Sequence, residues 1–162
     1  MPFSIHPKIA ITCVNELTVE MLPSEIDTIL LDLDHTVTHW KSTEIPSEIV
    51  TWVAGMKARG YKLAIVSNAA THRRSAPVSN ALGLPCIINA LKPLPFGFLL
   101  AMKILQSEKK STAMIGDQMF TDILGGNMLR LFTVLTTPFS KKEALVTRMI
   151  QRPLERLFGR KQ

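Results

Sequence analysis

The run Thr28-Ile29-Leu30-Leu31-Asp32-Leu33-Asp34 constrains this chain more than any other stretch. It is short, continuously apolar up to its first carboxylate, and suited to a strand of a parallel sheet covered on both faces. Residues i and i+2 of a strand share a face. Asp32 and Asp34 are therefore expected side by side at the lip of a sheet. Two like charges that close repel unless a cation or a shared proton offsets them, which makes the pair a candidate reaction centre.

The remaining elements follow from periodicity and punctuation. Residues 9–14 read as a short strand, with a helical turn somewhere between Val14 and Pro23. Ser47 to Arg59 reads as a helix: Pro46 precedes it, Ile49, Val53 and Met56 form an apolar face, and Gly60 stops it. Strands are expected over Lys62–Val66, Cys86–Ile88, Thr112–Ile115 and Leu131–Leu135. Helices are expected over Thr71–Leu82, with Pro77 spoiling the middle, over Pro95–Leu105, with Phe96, Leu99, Leu100 and Ile104 apolar, and over Asp122–Met128. Strand and helix alternate, so the fold class is α/β: a three-layer α/β/α sandwich around a mostly parallel, Rossmann-like sheet. The loops are short and leave no room for a substantial cap domain. The expectation is a single domain over residues 1–162.

Charge divides the chain unevenly. Residues 141–162 carry seven basic and two acidic groups, while the preceding 140 residues are close to neutral. The basic character thus belongs to the tail. A nucleic-acid-binding body should be basic across a face, and this one is not. Two cysteines, Cys13 and Cys86, make no disulfide framework and read as partly buried thiols of a reducing compartment. No apolar run is long enough to span a bilayer. The N-terminus lacks the apolar core and cleavage site of a leader, so it reads as mature, cytoplasmic protein.

Sites of parallel α/β sheets lie at the carboxyl ends of the strands. Those ends offer Asp32, Asp34 and Thr36, then Ser67 and Asn68, then Lys92, then Gly116-Asp117 with Asp122 five residues on. Taken singly, each Asp is a turn former or a helix cap. At successive strand ends, three carboxylates, a hydroxyl and an ammonium make a metal and phosphate site. Carboxylates suit Mg²⁺, a hard cation that takes oxygen ligands, while Lys92 and Ser67 would hold phosphate oxygens.

The ordered set Asp32-Leu33-Asp34-His35-Thr36, Ser67, Lys92 and Gly116-Asp117-Gln118-Met119-Phe120-Thr121-Asp122 resembles the four motifs of the haloacid dehalogenase-like phosphohydrolases. The flanking Ser-Asn, Lys-Pro and Gly-Asp-Gln-x-Phe-Thr-Asp stretches resemble the YqeG-type, subclass IIIA branch, whose relatives include phosphatidylglycerophosphate phosphatases. The resemblance covers roughly residues 9–138. It implies a Mg²⁺-dependent phosphomonoester hydrolase with Asp32 as nucleophile, forming an aspartyl-phosphate, and Asp34 as general acid and then base. It implies that Asp32 and Asp117 hold the metal by their side chains and Asp34 by its backbone carbonyl. Lys92 would neutralise the transferring phosphoryl group, with Thr36, Ser67 and Asn68 around the phosphate. Asp122 would orient Lys92 or a metal water.

His35 stands where the family usually has Asn, and it is read as a tolerated substitution whose backbone carries the loop. Val37 and Ala69 also depart from the family's usual residues. His39 and Trp40, and His72, Arg73 and Arg74, follow the first and second motifs and are candidates to contact the rest of the substrate. In the tail, Leu145, Met149, Ile150, Leu154, Leu157 and Phe158 recur at helical spacing among basic residues, a pattern suited to an anionic membrane surface. The alternatives are packing on the domain or on a second subunit, with Pro153 as a break. Two other function classes compete: a phosphatidylglycerophosphate phosphatase acting at the membrane surface, and a binding or scaffold protein with the same fold and little turnover. The intact acidic set argues against the scaffold.

Overall fold

The structure is a computed structural model and describes residues 4–69 and 71–138. The helix expected from Lys142 onward, and with it the amphipathic tail, lies outside the described residues.

Six strands form one parallel sheet: β1 (Ile9–Ile11), β2 (Thr28–Leu31), β3 (Lys62–Val66), β4 (Cys86–Ile87), β5 (Thr112–Gly116) and β6 (Phe132–Thr136). Their spatial order is β1-β6-β5-β2-β3-β4. Four helices, α1 (Ser47–Ala58), α2 (His72–Leu82), α3 (Phe96–Leu105) and α4 (Leu124–Met128), connect the strands from β2 onward. Two 3₁₀ turns, Val14–Glu16 and Val19–Met21, occupy the stretch before β2 where a helical turn was expected.

The strands sort their side chains by parity. Ile29 and Leu31 of β2 join Ile49, Val53 and Met56 of α1 and Val78 and Leu82 of α2 in one buried cluster. Leu30 points the other way and packs with Phe98, Ala101 and Met102 of α3 and with Met114 of β5. Every residue of β2 is buried, as a central strand covered on both faces requires. The architecture is thus the expected three-layer sandwich.

The chain runs from β2 outward through β3 to β4, then returns across the sheet to β5 on the opposite side of β2. The strand order reverses between β2 and β5, and a crevice opens at their carboxyl ends. Neither loop bounding that crevice carries an inserted unit. Residues 32–46 hold only a one-residue bridge between Asp34 and Thr38, and residues 67–69 and 71 belong to no helix or strand.

Two details differ from expectation. Helix α2 runs through Pro77 unbroken, because Ser75, Val78 and Leu82 bury one continuous face and packing outweighs the lost donor. In α3 the apolar residues Phe96, Leu99, Leu100 and Ile104 face outward, each more than 40% exposed. Its buried face is Gly97, Phe98, Ala101 and Met102. Both cysteines are free and half-buried.

Candidate active site

The end of β2 sets the first carboxylate. The Asp32 backbone N–H still donates to the Ile115 carbonyl of β5 at 2.9 Å, so the ladder holds one residue past the strand. The chain then folds back: Val37 and Thr38 both donate to the Leu33 carbonyl, and His35 adopts a left-handed conformation with φ 64°. Asn and His are among the few side chains enriched there, so His35 can take this turn where the resemblance leads one to expect Asn. The imidazole is buried and stacks on Trp40, with ring centroids 6.4 Å apart. This turn separates the two motif carboxylates. The strand ends at Leu31, so the two carboxylates are not carried on one continuing strand, and their side chains have different partners.

Asp32 turns into the crevice. Lys92 Nζ donates to Asp32 Oδ1 at 2.5 Å and to Asp122 Oδ1 at 2.6 Å, and all three side chains are almost fully buried. Lys92 is held at its backbone by Asn68, whose Nδ2 donates to the Lys92 carbonyl (3.1 Å) while its Oδ1 accepts from the Lys92 N–H (2.8 Å). Asp122 Oδ2 accepts the Gln118 N–H at 3.2 Å. A Cβ on Gly116 would collide with the Asp122 carboxylate, so the residue ending β5 must be small for Asp122 to reach Lys92. Asp122 sits on a wide π-helical turn, Met119–Ile123, that leads into α4.

Asp117 completes the buried cluster. Asp32, Asp117 and Asp122 each bring a carboxylate oxygen within 4.8 Å of the others. No hydrogen-bond donor among the described residues reaches Asp32 Oδ2 or Asp117 Oδ1, although both atoms are buried. Burial pushes Asp32 up to about 7, helped by Asp122 and opposed by Lys92. Burial, followed by the charges of Asp32 and Asp122, pushes Asp117 up to about 8. Burial opposes the Lys92 charge, but Asp122 and Asp32 together outweigh it and hold the ammonium above the ordinary lysine range. Three carboxylates share one ammonium here, and the site remains short of positive charge. Two orphaned buried oxygens in an all-oxygen donor set fit a hard divalent cation.

Asp34 lies apart from this cluster. Its Oδ1 accepts from the Lys41 N–H (3.1 Å) and pairs with the Arg74 guanidinium from the first turn of α2. Its side chain is 20% exposed. Lys41 also places its ammonium 4.4 Å from the Trp40 ring centroid, and Trp40 is 55% exposed at the mouth.

The other sequence candidates divide. Ser67 is buried at the end of β3, its Oγ accepting the Ala69 N–H at 3.1 Å. Thr36 is buried with its hydroxyl 3.4 Å from that of Thr136 on β6, a contact that ties the loop to the sheet. Asn68, expected at the phosphate, spends its amide on the Lys92 backbone. Arg74, expected toward substrate, is engaged with Asp34. Sequence reasoning missed Lys41 and Thr136, and had Gln118 only as part of the fourth motif with no role assigned. Only Gln118, adjacent to Asp117, carried a sequence signal.

A family model described as haloacid dehalogenase-like hydrolase matches residues 14–129. The chain is 36% identical over 128 residues to the probable phosphatase YqeG of Bacillus subtilis strain 168, covering 79% of this chain and 73% of that protein. An uncharacterized protein from Listeria monocytogenes serotype 4b shares the fold with a TM-score of 0.59 and 17% identity, over 72% of this chain and 84% of the other. The cobalt-bound deoxy-D-mannose-octulosonate 8-phosphate phosphatase YrbI of Haemophilus influenzae does so with a TM-score of 0.55 and 15% identity, over 79% and 88%. The family match spans every strand end from Asp32 to Asp122, and the chain belongs to the haloacid dehalogenase-like hydrolases.

Proposed function

We infer that the chain is a Mg²⁺-dependent phosphomonoester hydrolase working through an aspartyl-phosphate on Asp32. The observation that carries this reading is Lys92 gripping Asp32 and Asp122 through one oxygen each, while Asp32 Oδ2 and Asp117 Oδ1 stay buried and unpartnered. A carboxylate held by one oxygen, with the other bare, is arranged to attack. Asp32, Asp117 and the Asp34 carbonyl would hold Mg²⁺, which when bound offsets repulsion between the anionic nucleophile and the incoming phosphate.

In the first step Asp32 Oδ2 bonds to phosphorus while the bond from phosphorus to the ester oxygen breaks. Asp34 gives that oxygen its proton. In the second step a water passes a proton to Asp34 and bonds to phosphorus, the Asp32–phosphorus bond breaks, and inorganic phosphate leaves. Lys92 balances charge on the phosphoryl oxygens, and Asp122 and Asn68 keep Lys92 in place. Ser67 is positioned at the end of β3 to hold a phosphate oxygen.

The substrate is a phosphorylated molecule, and the lack of an inserted unit between β2 and α1 leaves room for large ones. Phospholipid phosphates at a membrane surface, phosphatidylglycerophosphate among them, are the second reading. It carries with it a cytoplasmic protein that is peripherally membrane-associated. No helix among the described residues is long and apolar enough to cross a membrane. The test is hydrolysis of an aryl phosphate with Mg²⁺ by wild type and by Asp32→Asn. Wild type is expected to turn over and the variant to be inactive, and equal rates would contradict the nucleophile assignment.

A further inference from the structure

Helix α3 is apolar on both of its faces, and only one is buried. Gly97, Phe98, Ala101 and Met102 pack on the sheet. The opposite stripe, Phe96, Leu99, Leu100 and Ile104, lies in solvent, with Phe96 at 64% exposure. Leu91 and Leu94 extend it, at 59% and 48% exposure, on the turn that carries Lys92 into the site. Six large apolar side chains exposed within residues 91–104 are more than the scattered exposure of an ordinary protein face. A helix apolar all round normally has both faces covered.

What covers it is argued from size and charge. Six partly exposed side chains amount to a few hundred Å², short of the ~800 Å² per partner of a stable protein interface. The charges at its C-terminal end are mainly cationic. Lys103 sits within the stripe, Lys109 and Lys110 follow it, and Lys62 Nζ reaches the Gln106 carbonyl at the helix end (3.0 Å). The one acid in this stretch, Glu108, is paired with Lys110 at 3.1 Å. Those cations carry the same sign as the charge excess of segment 141–162 of the same chain, which disfavours that segment as the cover. An apolar stripe edged by lysines suits an interface whose interior is hydrocarbon and whose surface is anionic.

We propose that the outer face of α3, with Leu91 and Leu94, docks on an anionic lipid surface. Because Leu91 and Leu94 flank Lys92, docking sets the mouth of the crevice at the edge of the lipid footprint. This rests on the phosphatase reading only for what the enzyme would do there; the docking itself does not depend on it.

The experiment is co-sedimentation of the full chain with vesicles of phosphatidylcholine alone and of phosphatidylcholine mixed with phosphatidylglycerol. Wild type is compared with a Phe96→Glu/Leu100→Glu double variant and a Lys103→Glu/Lys109→Glu variant, all assayed in parallel on a soluble aryl phosphate with Mg²⁺. Wild type is expected to bind the anionic vesicles, and both variants to bind at least ~10-fold more weakly at unchanged aryl phosphatase rates. Absence of wild-type binding, or equal binding by all three proteins, overturns the docking face; equal binding would assign any lipid contact to another segment. A concentration-dependent dimer abolished by the Phe96→Glu/Leu100→Glu variant, with no wild-type vesicle binding, overturns it in favour of a second copy. An inactive wild type that still binds vesicles would sink the phosphatase reading and leave the docking face standing.

Discussion

Asp32 and Asp34 are two residues apart in sequence and belong to different electrical environments. Asp32 is buried with Asp117 and Asp122 around one ammonium, and its other oxygen has no hydrogen-bond donor among the described residues. Asp34 is partly solvated and holds a guanidinium and a backbone N–H through one oxygen. On the proposed mechanism the difference corresponds to a division of labour. Covalent and metal chemistry gain from burial, where water is excluded and charges act strongly. Proton transfer to a leaving group and from water needs a carboxyl that water can reach. One sharp turn at His35 produces both environments.

The largest effect expected from breaking this contrast is on the buried side. Asp32→Asn should lower turnover of any phosphomonoester by ~10⁴-fold or more, since the nucleophile itself is lost. Lys92→Met should cost about 10²–10³ in kcat. It should also destabilise the protein by roughly 3–5 kcal/mol, because two buried carboxylates lose their counter-charge. Thermal melts without added metal would read the stability loss, and partial rescue by Mg²⁺ is expected.

Asp34→Asn probes the solvated side and should depend on the leaving group. With an alkyl phosphate, whose alkoxide needs a proton, the first step should slow by about 10²–10⁴. With an activated aryl phosphate the burst of leaving group should survive, and the loss should fall on the later hydrolysis. Equal loss of the burst with both substrates would mean that Asp34 does not deliver the proton.

The smallest expected effect is on metal-free stability, and its sign is opposite to that of an ordinary surface carboxylate. Burial raises Asp32 to about 7 and Asp117 to about 8 from an ordinary value of 3.8. The folded protein therefore binds more protons than the unfolded chain between about pH 4 and pH 8. The stabilisation is complete below that window and is lost as pH rises through 7 and 8. Lys92, raised above its ordinary range, keeps its charge throughout. The melting temperature without metal should thus be lower at pH 8 than at pH 6, and Mg²⁺ should narrow the gap. Asp117→Asn should raise the metal-free stability at pH 8 by about 1 kcal/mol, or ~2–4 °C, while weakening the response to Mg²⁺.

Much of this was legible in the sequence, for a physical reason. Strands buried on both faces write themselves as apolar runs, and their ends carry the site residues, so Asp32, Ser67, Lys92 and Asp117 could be read in order. Helix α1 was equally plain, because Ile49, Val53 and Met56 form its one apolar stripe and are buried. Helix α3 was not. It is apolar on two faces, and periodicity cannot say which of them the sheet takes. The partners of Asp34, Lys41 and Arg74, were not legible, because the turn after it rests on backbone hydrogen bonds. Asn68 and Thr36, expected around the phosphate, have partners 24 and 100 residues away that no local pattern announces.

The central claim is that Asp32 becomes covalently phosphorylated during turnover. Acid quenching of wild type mixed with an aryl phosphate and Mg²⁺, followed by peptide mapping, tests it directly. The account predicts one phosphoryl group on the peptide containing Asp32, formed within a single turnover and decaying as inorganic phosphate appears. It further predicts that Asp34→Asn makes this species longer-lived. Turnover with no phosphorylated peptide, or with the phosphoryl group on another residue, would contradict it.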